Sequence, residues 1–319
     1  MQARIADKLL KRLDLLRRTV RRENDLFIGL IKCGEGVEEF VANFDYKAFR
    51  YFEIVGLPEL IDAIQAYYDN LNMHFEKDEI LITTKAGHDM WPGPYGDKNG
   101  SRKYLLSSLD QSLKRLKLDY VDIFYHHVRD PETPLEETAL ALDQAVRQGK
   151  ALYVGISNYN KADTKKIMKI FEELRTPFIV NQPSYSMLNR WIEDDGLRDF
   201  AYDKGIGLAV FSPLYQGFLT DRYLNGVPED SRVGKGNTWI GKELNEEMLK
   251  KLNALNEIAR NRGQKLSQLA LSWVLREGKV TTVLIGASRP EQIVENVEAI
   301  HKTEFTSEEL EAIENILKG

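Results

Sequence analysis

The sequence predicts an α/β protein built as a (β/α)8 TIM barrel. Three observations carry that expectation. From residue 79 onward, six short apolar runs rich in β-branched and aromatic residues alternate with amphipathic helical stretches. The first five runs begin 26 to 41 residues apart, which leaves room for one crossover helix each and so makes the strands parallel. An open doubly wound sheet usually announces a G-x-G-x-x-G after its first strand, and this sequence has none.

In chain order, the first expected element is a basic amphipathic helix over residues 1–23. It carries Arg4, Lys8, Lys11, Arg12, Arg17, Arg18, Arg21 and Arg22 against Asp7 and Asp14, with Leu9, Leu13, Leu16 and Val20 at helical spacing. Such a charge run reads as a solvated face. Residues 24–319 then form a single barrel, of which 24–83 is atypical. Strands near Leu26–Ile31 and Ala48–Val55 fill the two places that the later units leave vacant, with a helix over 58–72 outside. The six regular runs are Glu79–Thr84, Tyr120–Tyr125, Leu152–Ile156, Phe178–Gln182, Gly207–Phe211 and Thr281–Ile285. Most are nearly continuous in apolarity, as strands covered on both faces should be. Between them Leu105, Leu109, Leu113 and Leu116 share one helical face, as do Leu135, Thr138, Leu142 and Val146. The long gap before the last strand holds a Gly- and Asn-rich insertion (224–245) and a helical hairpin. Thr306-Ser-Glu-Glu309 ahead of Leu310 and Ile313 reads as a capping box opening a terminal helix.

Composition narrows the function. The 319 residues are 43% hydrophobic and 29% charged, a balance that buries a large core. A net charge of -5 gives no basic field for nucleic acid. Cys33 is the only cysteine, so neither an internal disulfide nor a thiolate metal cluster can form. No run approaches the roughly 20 apolar residues that cross a bilayer. These features fit a cytoplasmic enzyme, and no motif addresses its oligomeric state.

In a barrel, reactive groups stand at the C-terminal ends of the strands. The residues to weigh there are Lys85, His126 and His127, Ser157 and Asn158, Gln182 and Tyr185, Ser212 and Gln216, and Gly286, Ser288 and Arg289. A lysine ending an apolar strand is costly without a partner or a task. The adjacent His126 and His127 diverge on a strand and no third ligand has suitable spacing, so no metal site is expected.

Here a resemblance becomes specific. The blocks TKAGHDMWPGPYG (84–96), GSRKYLLSSLDQSLKRLKLDYVDIFYHH (100–127), GKALYVGISNY (149–159), NQPSYSMLNRW (181–191), FSPLYQGFLTDRYLNG (211–226) and VLIGASRPEQIVEN (283–296) resemble the aldo-keto reductases. The nearest branch is that of bacterial L-glyceraldehyde-3-phosphate reductases and potassium-channel β subunits. The resemblance implies an NADPH-dependent reductase of small carbonyl compounds. In such enzymes a Tyr protonates the carbonyl oxygen, a Lys depresses its pKa, an Asp holds the Lys, and a His orients the carbonyl. Lys85 matches the lysine, and His127 matches the histidine better than His126. Ser157, Asn158 and Gln182 match the positions that hold the nicotinamide carboxamide. Ser212, Pro213, Leu214, Gln216 and Gly217 match the pyrophosphate loop, with Arg222 nearby. Gly286, Ser288, Arg289, Gln292, Glu295 and Asn296 match the adenosine clamp, where Ser and Arg meet a 2′-phosphate and so favour NADPH.

The first quarter departs from that pattern. The family's Asp and Tyr should stand in a motif like F-D-x-A-x-x-Y-G. The nearest candidates, Asp45 and Tyr51, lie six residues apart where the family has five, with no following Gly. Asn43–Asp69 followed by EKDEILITT (76–84) resembles instead the N-terminal part of a fold-type I aminotransferase, without that fold's Schiff-base region. The chain therefore reads as a mosaic or chimera joined near Glu79–Thr84. The alternative to a working reductase is an NADPH-binding protein of the same fold with weak or no catalysis.

Overall fold

The computed structural model describes residues 26–31, 81–88 and 99–318, apart from 230, 232, 235, 237–242 and 288–289. The expected basic helix over 1–23, the Ala48–Val55 strand, the 58–72 helix, Asp45 and Tyr51 lie outside the described residues, as do Ser288 and Arg289.

Among the described residues seven strands form one sheet: β1 (Leu26–Ile31), β2 (Thr83–Ala86), β3 (Val121–His126), β4 (Ala151–Ser157), β5 (Phe178–Gln182), β6 (Gly207–Phe211) and β7 (Thr282–Ala287). Their order is β1-β7-β6-β5-β4-β3-β2, with each pair from β2 to β7 parallel. Six strands adjacent in chain order, with helices between them, are the repeating pattern of a (β/α)8 barrel. The helices are α1 (Arg102–Leu116), α2 (Leu135–Arg147), α3 (Lys161–Leu174), the short α4 (Trp191–Asp194) and α5 (Leu197–Asp203), the hairpin α6 (Glu246–Asn261) and α7 (Leu266–Leu275), α8 (Pro290–Val297) and α9 (Ser307–Lys318).

Two expectations are corrected. Leu26–Ile31 is a strand beside β7, but it runs antiparallel, with Leu26 opposite Ala287 and Ile31 opposite Thr282. An antiparallel strand at the edge of an otherwise parallel sheet is a common arrangement. The first regular strand is also shifted. It begins at Thr83, paired with Ile123, and the Ile82 amide donates to Asp122 Oδ2 at 2.6 Å instead of extending the run. Lys85 is thus inside the strand, not beyond it.

Strand alternation sorts the side chains into two layers. Phe124, Val154, Ile156, Val210, Val283 and Ile285 belong to the large core between sheet and helices, which takes in Leu105, Leu109 and Leu113 of α1 and Leu142 of α2. Ile123, Tyr125, Ile179, Val180 and Ala209, with Tyr153, form a separate inner cluster. Gly155 makes room for it: a Cβ there would lie 2.5 Å from Tyr125 Cδ1 and 2.9 Å from Val180 Cγ1. The sheet is strongly curled. β2 and β5 are separated by two strands, so in a flat sheet they would stand about 14 Å apart. Yet Lys85 Nζ donates to Gln182 Oε1 at 2.6 Å. The two side chains meet across the barrel mouth.

Candidate active site

The same alternation fixes which residues face that mouth. Lys85 pairs in register with Tyr125, an inner-cluster residue, and His127 follows Tyr125 by two positions. The His127 amide donates to the Ala86 carbonyl at 2.8 Å, prolonging the β2–β3 ladder by one residue. Lys85 and His127 therefore lie on one face, at the C-terminal ends of neighbouring strands. His126 lies on the other. It is fully buried beneath the helices, with Nδ1 2.5 Å from the Tyr159 hydroxyl. Burial pushes its pKa down to about 4, while the Asn99 backbone and the Asp130 carboxylate pull the other way.

Ser157 and Gln182 close the ring from the next two strands. Ser157 Oγ donates to the Gln182 carbonyl at 2.7 Å, and Asn158 Nδ2 donates to Ser157 Oγ at 3.2 Å. The Asn158 amide also bonds the Gln182 carbonyl, at 3.2 Å. These three residues form one hydrogen-bonded group rather than three separate contacts.

Backbone strain marks the same rim. Among the described residues seven non-glycines have positive φ. Lys117 and Arg175 are ordinary left-handed helix caps, and Glu277 lies in the turn after α7. The other four, Asn158 (φ 56°), Ser212 (57°), Tyr215 (46°) and Gln216 (57°), all follow β4 or β6 at the mouth. Left-handed non-glycine backbone costs about 1–3 kcal/mol per residue and clusters where a ligand is held. Gly217 continues the turn at φ 93°. The turn is closed by its own amides, Tyr215 donating to the Ser212 carbonyl at 3.0 Å, Gly217 to the Leu214 carbonyl at 2.9 Å and Phe218 to the Tyr215 carbonyl at 3.1 Å. The Tyr215 hydroxyl donates to Glu243 Oε2 at 2.5 Å, tying this loop to the far side of the 224–245 insertion. Burial, then the neighbouring carboxylate, pushes its pKa up to about 12.

The remaining sequence candidates are spread along the outer rim. Pro213 and Leu214 lead into the turn, and Arg222 lies in a short 3-10 helix capped by Thr220. Gly286 is exposed at the end of β7. Gln292, Glu295 and Asn296 lie on α8, where Glu295 pairs with Lys265 at 2.5 Å and Asn296 is buried. Tyr185 is not at the mouth. It is fully buried, donating to Glu193 and accepting from Arg276 Nη1 at 3.0 Å.

Sequence reasoning missed two residues. His88 stands one residue past Gly87, and its ring centroid is 5.4 Å from that of His127. Phe211 ends β6 in register with Leu284 and on the face of the inner residue Ala209. Both follow from the rule that reactive residues end barrel strands, applied one position further for His88 and one earlier for Phe211.

The Aldo/keto reductase family model matches residues 58–318. The chain belongs to the aldo/keto reductase family. A 242-residue stretch, 75% of this chain, is 54% identical to the L-glyceraldehyde 3-phosphate reductase of Escherichia coli O157:H7 and spans 70% of that protein. A putative voltage-gated potassium channel subunit beta from Schizosaccharomyces pombe is 36% identical over 76% of this chain and 72% of its own length. The solved structure of a glycerol dehydrogenase from Gluconobacter oxydans superposes with a TM-score of 0.62 at 25% identity, covering 81% of this chain and 76% of that one. This aldo/keto reductase is therefore an oxidoreductase, of a family that uses NAD(P)H. The family match takes in residues 58–83, so the assignment reaches into the stretch that the sequence reading set apart as aminotransferase-like, a resemblance that the comparisons do not show. No helix among the described residues is long and apolar enough to cross a membrane, and no cluster among them could hold a metal ion.

Proposed function

We propose that this aldo/keto reductase reduces small aldehydes with NADPH, a short phosphorylated aldehyde among them. The reading is carried by the contact between Lys85 and Gln182. The lysine that matches the family's catalytic position touches the glutamine that matches its carboxamide position, at 2.6 Å. The donor set fits a nicotinamide: Asn158 and Gln182 carry side-chain amides at the mouth, beside the strained 212–217 turn that matches the family's pyrophosphate loop. When bound, the cofactor supplies the hydride. His127 and Lys85 orient and polarise the carbonyl oxygen, stabilising the negative charge that develops there. Phe211 offers a flat apolar face beside them. Arg289 is proposed to pair with the 2′-phosphate, which a guanidinium does bidentately. The phosphorylated substrate is suggested by the glyceraldehyde phosphate reductase relative.

The test is NADPH oxidation at 340 nm with small aldehydes. Lys85→Met and His127→Ala should remove activity. Tyr51→Phe should change it little, since Tyr51 has the wrong spacing for the family's acid. A robust rate abolished by Tyr51→Phe alone would make Tyr51 the proton donor. In a fluorescence titration NADPH should bind more tightly than NADH, and Arg289→Ala should narrow the gap; equal affinities in the unmodified chain would defeat the NADPH assignment. A second reading, nucleotide binding without useful catalysis, is favoured by the spacing of Asp45 and Tyr51. It would show as tight NADPH binding with no aldehyde turnover.

A further inference from the structure

We infer that His126 and Tyr159 form a buried lock that sets where His88 and His127 stand, and so act as a positioning pair for the site. The inference rests on the reading of His127 as the group that orients the carbonyl.

His126 fills the neck between two glycines. A Cβ on Gly87 would lie 2.5 Å from its Cδ2, and one on Gly100 would lie 3.1 Å from its Cε1. Both glycines are tied down around the ring. The Asn99 amide donates to the Gly87 carbonyl at 3.2 Å, the Gly100 amide to Asp130 Oδ2 at 2.8 Å, and Thr138 Oγ1 to the Gly100 carbonyl at 3.0 Å. Gly87, at φ 116°, leads straight into His88. His126 leads straight into His127. One ring thus lies against the backbone that launches one imidazole and is bonded to the backbone that carries the other, and those two imidazoles meet 5.4 Å apart.

Tyr159 fixes the ring itself. Its hydroxyl is 2.5 Å from Nδ1, and the two rings meet edge-on at 5.8 Å. Burial holds His126 uncharged at neutral pH and pushes the Tyr159 hydroxyl up, so that it stays protonated; Asp130 and Arg129 act on the histidine in opposite directions, as do Arg129 and Asp163 on the tyrosine. With Tyr159 donating to Nδ1, the ring proton belongs on Nε2. That nitrogen is buried against the Asn99 backbone without hydrogen-bond geometry. The hydroxyl is then the contact that fixes the ring's rotation, and through it the neck.

The chain holds five histidines, so ring 1H–15N spectra of the full-length protein can be assigned from single variants. His126 should stay neutral with its proton on Nε2 between pH 8 and pH 5. Tyr159→Phe should shift the ring signals of both His88 and His127. It should also lower kcat for aldehyde reduction by roughly tenfold to a hundredfold, the scale of a small misplacement, with KM for NADPH unchanged. Gly100→Ala, whose Cβ would meet Thr138 Oγ1 at 2.6 Å and the His126 ring at 3.1 Å, should move the same two signals if Tyr159→Phe does not fold. Unmoved His88 and His127 signals in a folded variant would overturn the inference. So would a loss of NADPH affinity in step with kcat, which is what general structural damage produces. If the unmodified chain reduced no aldehyde, the proposed function would fall, and the ring spectra would still decide the lock.

Discussion

Single positions in this barrel are set by what their neighbours leave room for. Gly155 is the clearest case, since the inner residue Tyr125 occupies the space its side chain would need. Gly155→Ala should overpack the lumen and destabilise the fold by about 1–3 kcal/mol. Tyr125→Leu should restore part of that loss in the double variant, read from urea unfolding midpoints. Additive losses would mean the two residues do not share that space. Much of the site was legible at this scale because barrel chemistry follows strand ends: Lys85, His127, Ser157 and Gln182 could be named from the runs that precede them. The choice of His127 over His126 also agrees with plain alternation, which puts one histidine with Tyr125 and the other with Phe124. What could not be read was contact across the lumen. Ninety-seven residues separate Lys85 from Gln182, and only the curl of the sheet brings them together.

Elements were legible where their signals are local. The terminal helix shows this, because a capping box lies within four residues. The Thr306 amide donates to Glu309 Oε2 at 2.9 Å, and the Glu309 amide donates to Thr306 Oγ1 at 3.2 Å, the reciprocal pair that the sequence predicts. The same carboxylate oxygen also accepts from Arg262 Nη1 at 2.5 Å, a residue that is itself buried, lies over the Phe305 ring and donates to the Lys302 and Glu304 carbonyls. That second role spans 47 residues and leaves no local trace. The two roles predict unequal costs. Thr306→Ala removes one cap and should cost about 1 kcal/mol. Glu309→Gln weakens the cap and leaves the Arg262 charge without its carboxylate, and should cost more, toward about 3 kcal/mol. Denaturant midpoints of the two variants decide it, and equal losses would mean that Arg262 contributes nothing to anchoring α9. The antiparallel course of β1 belongs to this scale as well. Its apolar run marks a strand but carries no information on direction, which only the pairing with β7 reveals.

The outer shell is held across elements by a half-buried carboxylate. Glu193 of α4 accepts from Arg276 at 2.6 Å, Arg198 at 3.0 Å, Arg190 at 2.5 Å and the Tyr185 hydroxyl, and Arg190 also pairs with Glu314 of α9 at 2.5 Å. Trp273 lies beneath, with the Arg276 guanidinium carbon 3.5 Å from its ring centroid. Burial works against the Glu193 charge, but the Tyr185 bond and the arginines win and hold its pKa below the ordinary 4.5. This group contributes stability above the unfolded carboxylate's pKa and loses it as pH falls through the lower folded value. His126 acts in a separate window. Its folded pKa of about 4 lies below the ordinary 6.5, so between those values the unfolded chain binds a proton that the folded chain refuses. Its contribution is intact above pH 6.5 and is lost progressively toward pH 4, roughly 3 kcal/mol in all. Acid should therefore destabilise the molecule in two stages, an upper one set by the neck beside the site and a lower one set by the outer knot. In thermal melts from pH 8 to pH 3, His126→Phe should flatten the slope between pH 6.5 and 4 and leave the lower limb unchanged. Glu193→Gln should lower the melting temperature throughout, since breaking a buried network costs about 3–5 kcal/mol, and should flatten the limb below pH 4.5. If His126→Phe kept the full slope between pH 6.5 and 4, the imidazole would not be held neutral in the folded chain, and the upper stage would belong to another group.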